Sequence, residues 1–273
     1  MGKINVIMAG LPGNMATVTV SHLLKNKRFN VIQKALTGPG ILVSSINIDG
    51  TKFELIAPEK HESFLREMKS VLFDFIIVDY SHPSAVNCNA ELYSKLNVPF
   101  VMGTTGGDRT VLERSVNESN TCAVIAQNMA KQIVGFQAMM EYASVNFPDL
   151  FNGYTLEIVE SHQKGKADTS GTAKSMVGYF NKLGLSFHVG QIKKIRNHFV
   201  QILKGIHFKY LKGHGWHTYK LKSADKTVSF VFTHNVNGRD IYALGTMDAI
   251  CFLWEKKNID HGKVFSMIDV LKG

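Results

Sequence analysis

Residues 4–9 form an apolar run, Ile4-Asn5-Val6-Ile7-Met8-Ala9, broken only by Asn5 and halted by Gly10-Leu11-Pro12-Gly13. A strand this apolar has no face suited to water, so it must be covered on both sides. Residues 14–24 then read as a helix, residues 30–36 as a second strand closed by Thr37-Gly38-Pro39-Gly40, and residues 44–56 as a hairpin turning at Asp49-Gly50. A helix at 62–70 leads into the apolar run 73–78, His82-Pro83 opens another helix, and strands follow at 99–102 and 122–125. Strand alternating with helix predicts an α/β fold with a Rossmann-like, doubly wound parallel sheet.

Beyond Met129 the pattern changes. A long helix at 130–145 precedes a strand at 154–159 and a helix at 168–183, with Ser170 or Asp168 as its cap. Strands at 190–196, 216–221 and 228–236 follow, and 242–255 and 263–271 read as closing helices. Such a run of strands predicts a second, α+β domain with a mostly antiparallel sheet, starting near residue 130. A chain of 273 residues that is 45% hydrophobic and 19% charged has the material for two cores.

Three cysteines without CxxC spacing exclude a disulfide framework and a cysteine zinc site, and fit a reducing compartment. No apolar run reaches the roughly 18 residues of a membrane span. Met1-Gly2-Lys3 leads straight into the first strand, which fits a cytoplasmic protein, or a plastid-stroma one if a transit peptide has been removed.

The formal charge is +9, and its distribution is informative. Residues 181–226 hold ten basic residues against Asp225 alone, leaving 21 of each sign elsewhere. That localised excess excludes a uniformly basic packaging protein. A solvated face, a field for anionic ligands and a nucleic-acid patch remain, the last without any helix-turn-helix, zinc-finger or RNA-recognition motif.

The Gly10-Leu11-Pro12-Gly13-Asn14-Met15 turn joins the first strand to a helix whose N-terminus offers unpaired N–H groups to a phosphate. A tight turn without ligand would look the same, but its place at the head of an alternating α/β run points to a dinucleotide. The second strand ends in Thr37 rather than an acid, which favours NADPH while leaving NADH possible. Gly103-Thr104-Thr105-Gly106 and Ala126-Gln127-Asn128-Met129 follow strands, where an open sheet has its ligand crevice. They are candidates for the nicotinamide end.

The most specific segment runs Glu160-Ser161-His162-Gln163-Lys164-Gly165-Lys166-Ala167-Asp168-Thr169-Ser170-Gly171-Thr172. Ser170, Gly171 and Thr172 open a helix and suit a carboxylate, while Lys166 and His162 can neutralise charge or move a proton. His214 and His217 form an HxxH pair, but in a strand they point to opposite faces, and no metal is expected.

Together with Gly213-His214-Gly215-Trp216-His217-Thr218-Tyr219, His234-Asn235-Val236-Asn237-Gly238-Arg239 and Met267-Ile268-Asp269-Val270-Leu271, these motifs resemble the 4-hydroxy-tetrahydrodipicolinate (dihydrodipicolinate) reductases, nearly end to end. His162-Gln163, where bacterial members carry two histidines, resembles the plant-type branch. Thr169 joins Ser170 without the bacterial proline, and Asp248 stands where some members have arginine.

The resemblance implies a dinucleotide domain over 1–129, with 241–273 returning to it, and a substrate and oligomerisation domain over 130–240. It also implies hydride transfer from NAD(P)H to a conjugated C=N of a cyclic dicarboxylate in lysine and diaminopimelate synthesis. His162 and Lys166 would be catalytic, Gln163, Ser170, Gly171 and Thr172 would bind substrate, and the chain would form a homodimer or homotetramer. A related dehydrogenase of a small amino-dicarboxylate, or a non-catalytic dinucleotide-sensing or nucleic-acid-binding module, are the alternative readings.

Overall fold

In the computed structural model, which describes residues 2–273, β1 (Ile4–Ala9) lies inside a nine-stranded sheet, flanked by parallel neighbours. Following the chain, β2 (Phe29–Val31), β3 (Lys34–Leu36), β4 (Ser45–Ile48), β5 (Thr51–Ile56), β6 (Ile76–Asp79), β7 (Phe100–Met102) and β8 (Cys122–Ile125) join it. With β13 (Lys263–Phe265) the order is β13-β8-β7-β6-β1-β3-β5-β4, and β2 also pairs with β1. Only the β4–β5 hairpin is antiparallel. Its turn residues Asp49 and Gly50 both have positive φ, as the Asp-Gly pair implied. β6, β7 and β8 are buried throughout, which is why their sequences lack polar alternation.

Helices α1 (Asn14–Lys25), α2 (His61–Leu72), α3 (Val86–Lys95) and α4 (Arg109–Asn117) connect these strands. The expected strand over 30–36 is two strands, because the chain steps away at Ile32-Gln33 and rejoins β1 further along as β3. The closing segment 263–271 is a helix only in its second part. Ser266 caps α9 (Met267–Lys272) through the Ile268 and Asp269 amides, so Lys263–Phe265 before it extend the sheet beside β8.

The chain divides into two compact units, residues up to 131 with 240–273, and residues 132–239. Helix α8 (Asp240–Lys256) belongs to the first and buries Ala243, Thr246, Ile250 and Leu253. The second contains most of α5 (Lys131–Asn146), together with α6 (Gly171–Lys182), α7 (His198–Leu203) and a sheet ordered β10-β9-β11-β12. Here β9 is Thr155–His162, β10 Lys193–Ile195, β11 His214–Lys222 and β12 Ser229–Asn237. All pairs are antiparallel except β10 on β9. β9 runs three residues past its expected end, carrying Glu160 and His162 into the sheet. Residues 190–196 reduce to a 3₁₀ turn and three strand residues, and α7, capped by the Asn197 side chain, was not expected.

One face of this second sheet changes character along its length. Register aligns Ile158, Tyr219 and Phe232 in one cross-strand row and Glu160, His217 and His234 in the next inward-facing row. The apolar rows pack on Met176, Val177 and Phe180 of α6. Phe180 is fully buried beside the rings of Tyr219 and Phe232. Phe180→Ala is expected to lower unfolding free energy by about 3–5 kcal/mol, read from urea denaturation.

Candidate active site

In the first unit, Gly10 has φ +106°, and a Cβ there would overlap the Tyr80 carbonyl. Only glycine fits, as in a turn that brings backbone close to a ligand. The turn closes on itself through Gly13 N–H to Gly10 O at 2.8 Å, with the Leu11–Pro12 peptide cis. No side chain caps α1, and its first turn holds no acid, so the Asn14 and Met15 amides are open to an anion. Pro12, Gly13 and Asn14 are exposed; Leu11 is buried beneath them.

Thr37 does something other than present a free hydroxyl. It is buried, and its Oγ1 donates to Leu11 O at 2.6 Å, tying β3 to the glycine turn. The nearby Lys34 ammonium lies over the Phe64 ring.

The residue that organises this end of the sheet is Asp79, which sequence reasoning missed. Its buried carboxylate accepts from Ser81 N–H (2.9 Å), Ser81 Oγ (2.7 Å), Asn89 Nδ2 (2.9 Å), Tyr93 OH (2.8 Å) and Thr104 Oγ1 (2.9 Å). Thr104 is thus held in place after β7, while Thr105 beside it is exposed. Tyr80 fills the space under Gly103, where a Cβ would overlap its ring, and its hydroxyl meets Thr246 of α8. Burial pushes that phenol up to about 12, so it stays protonated. After β8, Ala126 and Met129 are buried, Gln127 is exposed, and Asn128 Oδ1 accepts from Ala130 N–H at 2.9 Å. An acid at the end of a buried strand, followed by tyrosine and serine, was the available signal.

In the second unit, β9 delivers His162 to the start of the signature loop. Glu160, fully buried, pairs with Arg196, and its second oxygen accepts Ser170 N–H at 3.0 Å. Arg196 Nε donates to Lys166 O at 2.9 Å, so one ion pair holds the 163–170 loop at its middle and at its C-terminal end. Gln201, on the unexpected α7, donates to His162 O at 2.8 Å. Ser170 is buried, Thr172 half-buried and Gly171 exposed. No side chain caps α6 and no acid occupies its first turn, which leaves the Gly171 and Thr172 amides open. Gln163 is half-buried, and its carbonyl accepts Lys166 N–H at 3.0 Å. The Lys166 ammonium has no hydrogen-bond or ion-pair partner among the described residues.

His162 lies among other imidazoles. Its Nδ1 is 3.0 Å from His214 O and its Nε2 3.3 Å from His217 Nε2. Burial pushes His162 down to about 4 against the opposing pull of Glu160, pushes His234 to about 4, and holds His217 well below the ordinary range. All three are therefore neutral near pH 7. His214 lies on the other face of the sheet, bonded to Ser161 Oγ and Tyr210 O. Donor atoms of Glu160, His162 and His217 fall within 4.8 Å of one another, a spacing that suits a cation. The Glu160 oxygens, both His162 nitrogens and His217 Nε2 each have a protein partner.

An open parallel sheet with an uncapped βα turn, joined in one chain to a unit bearing an ammonium beside a second uncapped helix, defines a two-domain, Rossmann-type oxidoreductase. Residues 4–129 match the family model described as "Dihydrodipicolinate reductase, N-terminus", and residues 133–271 match "Dihydrodipicolinate reductase, C-terminus". The chain belongs to the dihydrodipicolinate reductase family. It is 43% identical over 271 residues to "4-hydroxy-tetrahydrodipicolinate reductase 2, chloroplastic" of Arabidopsis thaliana, covering 98% of this chain and 77% of that one. To "Probable 4-hydroxy-tetrahydrodipicolinate reductase 2, chloroplastic" of Oryza sativa subsp. japonica it is 40% identical, covering 98% and 82%. Among solved structures, "Dipicolinate bound Dihydrodipicolinate reductase from Paenisporosarcina sp. TG-14" superposes with a TM-score of 0.68 at 18% identity, over 97% of each chain, and shares the fold. No helix among the described residues is long and apolar enough to cross a membrane.

Asp79→Ala would strand the Tyr93, Asn89, Ser81 and Thr104 donors around an empty buried site. A loss of about 2–4 kcal/mol in unfolding free energy is expected by chemical denaturation, with weaker dinucleotide binding by fluorescence titration.

Proposed function

We propose that this protein reduces 4-hydroxy-tetrahydrodipicolinate to tetrahydrodipicolinate, in lysine and diaminopimelate biosynthesis, with NADPH as preferred hydride donor. The observation that carries the reading is the pair of uncapped helix N-termini, one per unit: α1 after the Gly10–Gly13 turn and α6 after the signature loop. The first suits a pyrophosphate and the second a carboxylate, and the family's curated members are named for a dicarboxylate substrate.

In this reading Gly10, Leu11, Pro12, Gly13, Asn14 and Met15 form the pyrophosphate turn, with Thr37 bracing it from β3. Thr104, Thr105 and the 126–129 segment hold the nicotinamide end. A bound reduced nicotinamide supplies the hydride. Ser170, Gly171 and Thr172 seat one carboxylate, with Gln163 beside it. Negative charge that develops on the ring during reduction is met by the Lys166 ammonium, which has hydrogens to give, while His162 walls the site as a neutral imidazole. The 4-hydroxyl leaves as water to give the conjugated C=N that takes the hydride, and Lys166 recovers its proton from solvent, so the conversion balances as hydride plus proton taken up and one water released.

NADPH preference is supported by the lack of an acid in Leu36-Thr37-Gly38 rather than by a free Thr37 hydroxyl. The exposed apolar residues Val228, Phe230 and Val231, at the start of or just before the edge strand β12, support self-association as a dimer or tetramer. The chloroplastic relatives support a plastid location.

The test is an assay that couples a tetrahydrodipicolinate-forming synthase to oxidation of NADPH. Oxidation dependent on the synthase product is expected, and none with either cofactor would refute the reading. Lys166→Ala should lower kcat by about a hundredfold or more while NADPH affinity stays unchanged. Gly38 has open space around its Cβ position, so Gly38→Asp should fold normally. It should move the NADPH-to-NADH preference by about tenfold toward NADH, since a carboxylate there accepts a ribose hydroxyl and repels a 2′-phosphate.

A further inference from the structure

His162 has two ring nitrogens, and both face groups of its own chain. The His214 carbonyl, 3.0 Å from Nδ1, can only accept, so the Nδ1 atom carries the hydrogen. A neutral imidazole carries one N–H, which leaves Nε2 as a bare lone pair. The atom facing that lone pair at 3.3 Å is His217 Nε2, which must therefore be the donor. Glu160 Oε2 is 3.9 Å from the same His217 atom, beyond hydrogen-bond reach, and does not compete for the proton. The remaining His217 nitrogen, Nδ1, is then a lone pair, and it is a buried atom without a hydrogen-bond partner. The reverse assignment is doubly unfavourable. It would place two lone pairs opposite each other and bury an orphaned N–H, which native structures rarely tolerate.

We propose that His217 is a positioning residue for His162, donating Nε2–H to it and locking it as the Nδ1–H tautomer with neither nitrogen open to substrate. This rests on the dicarboxylate-reductase reading and deepens it, because proton delivery then falls to Lys166. The surroundings brace the arrangement from every side. Gly215, paired with His162 in register and two residues before His217 on β11, leaves room for the His162 ring, where a Cβ would stand 3.0 Å from Cε1. His234 of β12 stacks on His217 at 4.7 Å between centroids, and Tyr219 OH approaches His234 Nε2 at 3.4 Å. Glu160 of β9 and Arg196 after β10 form their own ion pair alongside, and Lys166 stands in the loop after β9. No acceptor faces His217 Nδ1, so nothing there would draw the proton away from Nε2.

The test is ¹⁵N NMR on the 273-residue chain with labelled histidine. In the unmodified chain His162 should be protonated at Nδ1, with a through-hydrogen-bond coupling between its Nε2 and that of His217. In His217→Ala the coupling should vanish and an Nε2–H form of His162 should appear, with kcat reduced about tenfold or more and the KM for NADPH unchanged. His217→Gln, whose amide N–H can reach the same atom, should restore the Nδ1–H form and most of kcat. Protonation of His162 at Nε2 in the unmodified chain would overturn the proposal, as would an Ala variant with an unaltered His162 spectrum. The unmodified chain needs no variant to fold and the spectrum needs no turnover, so this result stands apart from that of the reductase assay.

Discussion

A carboxylate buried away from water must be surrounded by donors, and each unit of this protein is organised around one. In the first, Asp79 gathers hydrogens from the segment after β6, from α3 and from the loop after β7. In the second, Glu160 takes the Arg196 guanidinium and the Ser170 amide. Each anion lies at or near the C-terminal end of a strand, where α/β proteins build sites, and each is bonded to the loop that follows. Removing either carboxylate would leave several polar groups without partners, so site and stability depend on the same atoms.

The second sheet shows how a core becomes a site without a change of backbone. The rows through Ile158 and Leu156 are apolar and pack on α6. One row further along, the same inward-facing positions hold Glu160, His217 and His234. Burial keeps those imidazoles neutral, so they act as hydrogen-bonding walls, and the positive charge of Lys166 nearby further opposes protonation of His162 and His217.

The basic excess takes on a narrower meaning in this setting. Arg196, counted among ten basic residues of one segment, is bound to Glu160 and to the carbonyl of Lys166, and Lys193 pairs with Glu157. Part of the apparent field is thus already paired, internally at Arg196 and at the surface at Lys193, while Lys166, which lies outside that segment, is free of partners among the described residues.

What was legible in the sequence was whatever depends on neighbours along the chain. The βαβ alternation, the Asp49-Gly50 hairpin, the glycine turn of residues 10–13 and the helix opening at Ser170-Gly171 all follow from local periodicity and turn chemistry. The Ser266 cap was equally local, yet helix periodicity over 263–271 hid it. The partners of Asp79, the Glu160–Arg196 link over 36 residues, the seat of Gln201 and the meeting of His162 with His217 could not be read that way. Each joins residues that only sheet register and loop closure bring together. Thr37 shows the difference: by sequence it is a hydroxyl where an acid would select NADH, and by tertiary structure that hydroxyl is already bonded to Leu11. The sequence alone determined the fold class, the two anion-ready helix starts and the chemical identity of the groups. Tertiary structure decided which of those groups are already satisfied, because burial and hydrogen-bond geometry depend on partners remote in the chain.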